Sequence, residues 1–82
     1  MEKKPLYISH RAVPAVRRKF GKWLRQFRKE RGYNQEALGR RAGLSGKFIG
    51  DVERGEKSVS LDSLWRIAKL GLGISLKRLV DF

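Results

Sequence analysis

The 82-residue chain has no cysteine and a single histidine, His10. Disulfides, thiolate metal sites and cysteine nucleophiles are therefore excluded, and one imidazole cannot build a metal site by itself. Strand signals are nearly absent, because no alternating apolar and polar run extends beyond a few residues. No apolar run approaches the ~18–20 residues that span a bilayer. The first 31 residues are punctuated by charge throughout, unlike a secretory leader. Paired-acid motifs and phosphate-cradling glycine loops are missing too, so the chain reads as a non-enzyme that needs no cofactor. Acids are scarce: 8 Asp and Glu stand against 20 Lys and Arg, a formal net charge of +12.

What is present suits one small soluble domain of intracellular, cytoplasmic type, with 40% hydrophobic residues and no room for a second core. The charge is uneven. Residues 1–31 hold eleven basic residues and two acids, a net +9, whereas residues 32–82 carry only +3. Such a concentration predicts a polyanionic partner, nucleic acid above all.

Residues 1–13 have no clear period and read as an N-terminal arm, with Leu6, Tyr7 and Ile8 as a short apolar patch; His10 is assigned no role there. A domain over residues 14–82 follows. Pro14 suits the first position of a helix whose apolar stripe is Val16, Phe20, Trp23, Leu24 and Phe27, with Gly32 as its stop. Asn34 is the expected N-cap of a second helix over 35–42, and Ser45 of a third over 46–54. Ser60 opens a fourth helix, with Leu61, Leu64, Trp65, Ile67 and Ala68 expected inside and Gly71 and Gly73 as breakers. Ser75 opens a last short helix carrying Leu76, Leu79 and Val80. At this spacing the aromatics Phe20, Trp23, Phe27, Phe48 and Trp65 read as core rather than as base-stacking platforms.

Residues 35–54, QEALGRRAGLSGKFIGDVER, carry the most information. Two short helices meet through a glycine-centred turn, the helix-turn-helix arrangement. Gly39 leaves space for the helices to cross closely, Gly43 can take the positive φ of a sharp turn, and Leu38, Leu44, Ile49 and Val52 face the core.

With LRQFRKERGYNQEAL, AGLSGKFIGDVERG and SLDSLWRIAK in register, the chain resembles the Cro and phage-repressor type, the XRE family, over roughly residues 21–80. The resemblance implies an all-α, five-helix bundle of the lambda-repressor-like type. It also implies binding to a palindromic duplex-DNA operator as a homodimer, as a transcriptional regulator or repressor. Small members include phage repressors, restriction–modification controller proteins and antitoxins. The chain departs from the pattern in its long N-terminal segment, in Gly46 and Gly50 within the recognition helix, and in a GLG stretch at 71–73 that looks one residue long.

The resemblance implies that Gln35 contacts a phosphate and braces the recognition helix, at a helix end that already offers free N–H groups to an anion. Ser45 has two open readings, a cap alone and a cap that, facing DNA, also reaches a phosphate. Gly46, Lys47, Gly50 and Asp51 are expected on the face presented to the major groove. Lys47 has two open readings, guanine O6 or N7 and phosphate. Asp51 also has two, cytosine N4 and an i,i+4 pair with Lys47, the pair being preferred. The glycines are either merely tolerated or permit close approach of backbone to DNA. Arg54, Lys57 and Ser58 match the region that contacts the sugar–phosphate backbone. The resemblance also implies a structural pair between Arg28 and Glu53.

Leu72, Ile74, Leu76, Leu79, Val80 and Phe82 crowd the C-terminal end, more apolar groups than one short helix can bury on so small a core. They are the expected homodimer interface. The alternative is an antitoxin-type protein whose arm or tail binds a toxin as well as its own operator.

Overall fold

The computed structural model describes residues 13–82. The N-terminal arm, with His10, the Leu6–Ile8 patch and the antitoxin reading that rests on it, lies outside the described residues but for Val13. All elements described are helical: α1 (Pro14–Glu30), α2 (Gln35–Ala42), α3 (Gly46–Glu53), α4 (Leu61–Trp65, running on as a π-helical stretch over Arg66–Leu72) and α5 (Leu76–Leu79).

Each start has a local cause. Pro14 occupies the first turn of α1. The side chains of Asn34, Ser45, Ser60 and Ser75 accept from the N–H groups of Ala37, Phe48, Ser63 and Arg78, opening the next four helices. Such caps satisfy donors that a helix end otherwise leaves unpaired.

The core joins α1 (Phe20, Leu24, Phe27), α2 (Leu38, Ala42), α3 (Ile49, Val52), the π stretch (Ile67, Ala68, Leu72) and Leu79 of α5. The expected stripe of α1 is shorter than its periodicity suggests, since Val16 is half exposed and Trp23 only partly buried. Trp23 lies at the edge for a reason: its indole Nε1 donates to the Leu79 carbonyl at 2.8 Å, tying α1 to α5. Trp65 and Leu61 correct a second expectation. They point outward, Leu61 at 68% exposure and Trp65 at 48%, so the inner face of α4 is carried by Leu64, Ile67 and Ala68.

Two further corrections concern the C-terminal end. Gly71 does not break the helix; it is buried inside the π stretch, where Leu38 Cδ1 lies 2.7 Å from the place a Cβ would occupy. The first two residues of the GLG stretch thus belong to the wide i→i+5 turns of the helix rather than to a loop. The chain then turns at Gly73, φ 69°. Carbonyls at the end of this stretch are captured by arginines: Arg41 Nε donates to Gly71 O (3.0 Å) and Arg31 Nε to Leu72 O (2.9 Å). Leu72 and Leu79 are buried within the single chain, Ile74 packs against the core and Leu76 is half-buried. Of the six residues expected at an interface, only Val80 and Phe82 are exposed, each by somewhat under half. The π turn and the Trp23 bond let one small core hold more of this apolar segment than an ordinary helix–loop–helix would.

Candidate nucleic-acid interface

The α2–α3 unit is held by three constraints. Gly43 sits at φ 72°, which a side-chain-bearing residue rarely adopts. Gly39 is the crossing point: a Cβ there would meet Gly46 N and Ser45 C at 2.8 Å. The third constraint comes from α1. Arg28 Nε donates to Glu53 Oε2 at 2.6 Å and Arg28 Nη2 to Glu53 Oε1 at 2.9 Å, a bidentate pair at the end of α3. Arg28 Nη1 donates to the Tyr33 carbonyl (2.8 Å), and Gln35 Nε2 to Glu53 Oε1 (3.1 Å). The hydrogen bond to Glu53 holds the Arg28 guanidinium above its ordinary pKa, against the opposing effect of burial. One carboxylate thus ties α1, the start of α2 and the end of α3 together.

Sequence reasoning missed a fourth contact. Gly21, inside α1, is buried against the backbone of α3: a Cβ there would overlap the Glu53 carbonyl and lie 2.6 Å from the Val52 carbonyl. The available signal was a glycine within an otherwise amphipathic helix, seven residues before Arg28 and so on the same side.

The surface of α3 is less glycine-lined than expected. Gly46 is buried under Glu36, whose Cα lies 3.0 Å from a would-be Cβ, and Gly50 under Gln35 Oε1 (3.0 Å) and Arg54 Nη1 (3.1 Å). Neither glycine offers bare backbone to solvent. Gly46 admits α2, and Gly50 admits the ends of two polar side chains. Lys47 is the most open residue of the set, its side chain 82% exposed. Its Nζ lies 3.2 Å from Asp51 Oδ2. The other Asp51 oxygen accepts from Arg54 Nη2 at 2.5 Å, and Arg54 Nε reaches Glu56 at 3.3 Å. With both oxygens engaged and its side chain 7% exposed, Asp51 presents little of its carboxylate to a base, and the pairing reading is the one its geometry takes. The Lys47 hydrogen bond lowers the Asp51 carboxyl pKa against the desolvation that would raise it, and the charges of Lys47, Arg54 and Lys57 add to the lowering.

Ser45 is exposed and accepts from Phe48 N at 3.0 Å. Ser58 and Lys57 are exposed in the loop after α3, where Ser58 Oγ accepts from Arg17 Nε (3.3 Å) and Nη2 (3.2 Å). Among the described residues no three His, Asp or Glu side chains cluster as a metal site, and no helix is long and apolar enough to cross a membrane.

A helix-turn-helix family model matches residues 24–79, covering α2, the turn and α3 together with the helices that pack on them. The chain belongs to the helix-turn-helix family of XRE type. Its relatives are transcription regulators, not enzymes, and it is a DNA-binding regulator of that class. It is 40% identical over 68 residues to the control protein C.BamHI of Bacillus amyloliquefaciens, covering 82% of this chain and 83% of that one. Among solved structures it resembles the restriction-modification controller protein C.AhdI from Aeromonas hydrophila, with a TM-score of 0.75 and 37% identity over 79% of this chain and 97% of that one. The clp gene regulator ClgR from Corynebacterium glutamicum is similar at a TM-score of 0.73 and 29% identity, covering 79% of this chain and 68% of its own.

Proposed function

We propose that this regulator binds a palindromic duplex operator as a homodimer and controls transcription in the manner of a restriction–modification controller. The observation that carries the reading is the braced α2–α3 unit, which leaves Lys47 standing clear of a helix otherwise packed away. In this reading α3 enters the major groove. Lys47 faces guanine or a phosphate, and Gln35 and Ser45, at the first turns of α2 and α3, meet phosphates through their own groups and the free backbone N–H groups beside them. Arg54, Lys57 and Ser58 follow the sugar–phosphate backbone. Asp51 acts as a positioning residue that orients Lys47 and Arg54. Arg28 and Glu53 are structural, fixing the angle at which α3 is presented. With few side chains left to read bases, the operator is recognised in part through duplex shape.

The dimer reading draws on four of the large apolar groups that the single chain leaves exposed: Leu61 and Trp65 on the outer side of α4, and Val80 and Phe82 after α5. Two-fold pairing would set two recognition helices about 34 Å apart, one turn of duplex. Selection of bound sequences from a random duplex pool tests the whole reading. The expected product is a palindrome with two half-sites one turn apart; recovery of unrelated sequences would refute operator-specific binding.

A further inference from the structure

Eight basic residues lie between positions 17 and 31, and the structure divides them. Arg17, Arg28 and Arg31 are engaged internally, with Ser58, Glu53 and the Leu72 carbonyl respectively. Arg18, Lys19, Lys22, Arg25 and Lys29 are exposed, and all of these but Lys19 fall on one line. The spacing of those four, i, i+4, i+7 and i+11, sets them in one row along α1, away from Phe20, Leu24 and Phe27. At 1.5 Å per residue the row is about 16 Å long.

No acid stands on α1 before Glu30, and among the described residues the ion pairs take in Arg28, Lys47 and Arg54 but none of these four. Like charges at i,i+3 and i,i+4 disfavour the helix by roughly 0.2–0.5 kcal/mol a pair, so nothing in the fold itself calls for this row. One end of it adjoins the α3 side of the molecule. Arg18 abuts the turn at Gly55, its Cα 3.2 Å from where a Cβ would stand, directly after Arg54 and two residues before Lys57.

We propose that Arg18, Lys22, Arg25 and Lys29 form a second phosphate-binding ridge, which holds duplex DNA outside the bases that α3 reads. The occupant follows from charge: a duplex carries one negative charge per ~1.7 Å of axis, so 16 Å of it presents about nine, enough to neutralise four cations. Continuity with Arg54 and Lys57 makes the same duplex that engages α3 the nearest such polyanion. The inference rests on the DNA-binding reading above and extends its footprint.

The test uses the full chain and the duplex it selects from a random pool, prepared with no flanking base pairs and with about ten on each side. The wild-type protein should bind the flanked duplex more tightly. Replacing all four residues (Arg18→Gln, Lys22→Gln, Arg25→Gln, Lys29→Gln) should abolish that gain while leaving binding to the bare site nearly unchanged. Four phosphate contacts also correspond to a further fall of roughly a hundredfold in affinity between 50 and 200 mM salt, which the variant should lose on the flanked duplex alone. Lys22→Gln with Lys29→Gln is a milder pair that should lose about half the effect on a logarithmic scale, and Lys19→Gln, off the row, should retain it. Equal flank gains in the wild type and the fourfold variant, or no flank gain in a wild type that still prefers its selected site, would overturn the ridge alone. Absence of any site preference in the wild type would overturn the α3 reading and the ridge with it.

Discussion

Asp51 shows how position alone leaves a side chain with two roles, of which the preferred one, the pair with Lys47, is the one the structure takes. It stands on the helix expected to read bases, yet its two oxygens are occupied by Lys47 and Arg54. Asp51→Asn should free both cations. We expect weaker discrimination between the selected operator and a scrambled duplex, with binding to the scrambled duplex equal or tighter, as read by competition titration. The same residue gives a pH prediction. Its folded pKa is lowered from 3.8, so its contribution to stability is fully present above that ordinary value and is lost as pH falls through the folded value. Thermal melts of wild type and Asp51→Asn should therefore differ at neutral pH, keep that difference down to the ordinary value of 3.8, and converge only as pH falls further, through the lowered folded value. Arg28 and Glu53 differ in kind, because both are buried and bidentate. Removing either partner strands a desolvated charge, so Arg28→Ala or Glu53→Ala should each lower stability by about 3–5 kcal/mol by denaturant titration, with the double variant well short of the sum.

At the scale of elements, caps and periodicity made all five helices readable, since Asn34, Ser45, Ser60 and Ser75 act within three residues of themselves. Contacts distant in sequence were less accessible. The placement of Leu61 and Trp65 depends on the roll of α4 about its axis. The helix runs on into a π-helical stretch, and the carbonyls at its end are taken by Arg31 and Arg41 from other helices. The two glycines of α3 were legible as unusual but not as packing sites, because their neighbours Glu36 and Gln35 belong to α2. Gly21 is the sharpest case. Its reason lies in the Val52 and Glu53 carbonyls more than thirty positions away. Backbone carbonyls cannot rotate aside as a side chain can, so Gly21→Ala must push α1 off α3. The expected loss is about 1–3 kcal/mol of stability by thermal or denaturant melt, despite alanine's better helix propensity. Gly50→Ala, which meets only the ends of Gln35 and Arg54, should cost less than Gly21→Ala in the same assay.

For the whole molecule, the question is which apolar groups remain once the core is closed. Leu79 is fully buried and its carbonyl accepts the Trp23 indole, so Leu79→Asp would report on folding rather than on association. Leu→Ala changes at such sites already cost about 2–5 kcal/mol, and a buried carboxylate costs more. The informative positions are those that the single chain leaves in water. Leu61 and Trp65 stand one helical turn apart on α4, while Phe82 leans on Phe20 at 5.5 Å between ring centres, beside a shallow groove that includes Val16, Leu64 and Val80. A chain of net charge +12 repels its own copies at long range, so association needs apolar contact to offset that repulsion, and added salt should favour it. Trp65→Glu and Phe82→Glu change exposed or half-exposed groups, so the melting temperature of the monomer should shift by only a few degrees. In sedimentation at tens of micromolar the wild type should run as a dimer and at least one of the two variants as a monomer. That variant should also bind its palindrome more weakly by a hundredfold or more while keeping its affinity for a single half-site, because the second half-site no longer acts at high effective concentration. Wild-type protein that stays monomeric at this concentration and binds half-site and palindrome alike would show that the exposed groups of α4 and the C-terminus do not pair two copies.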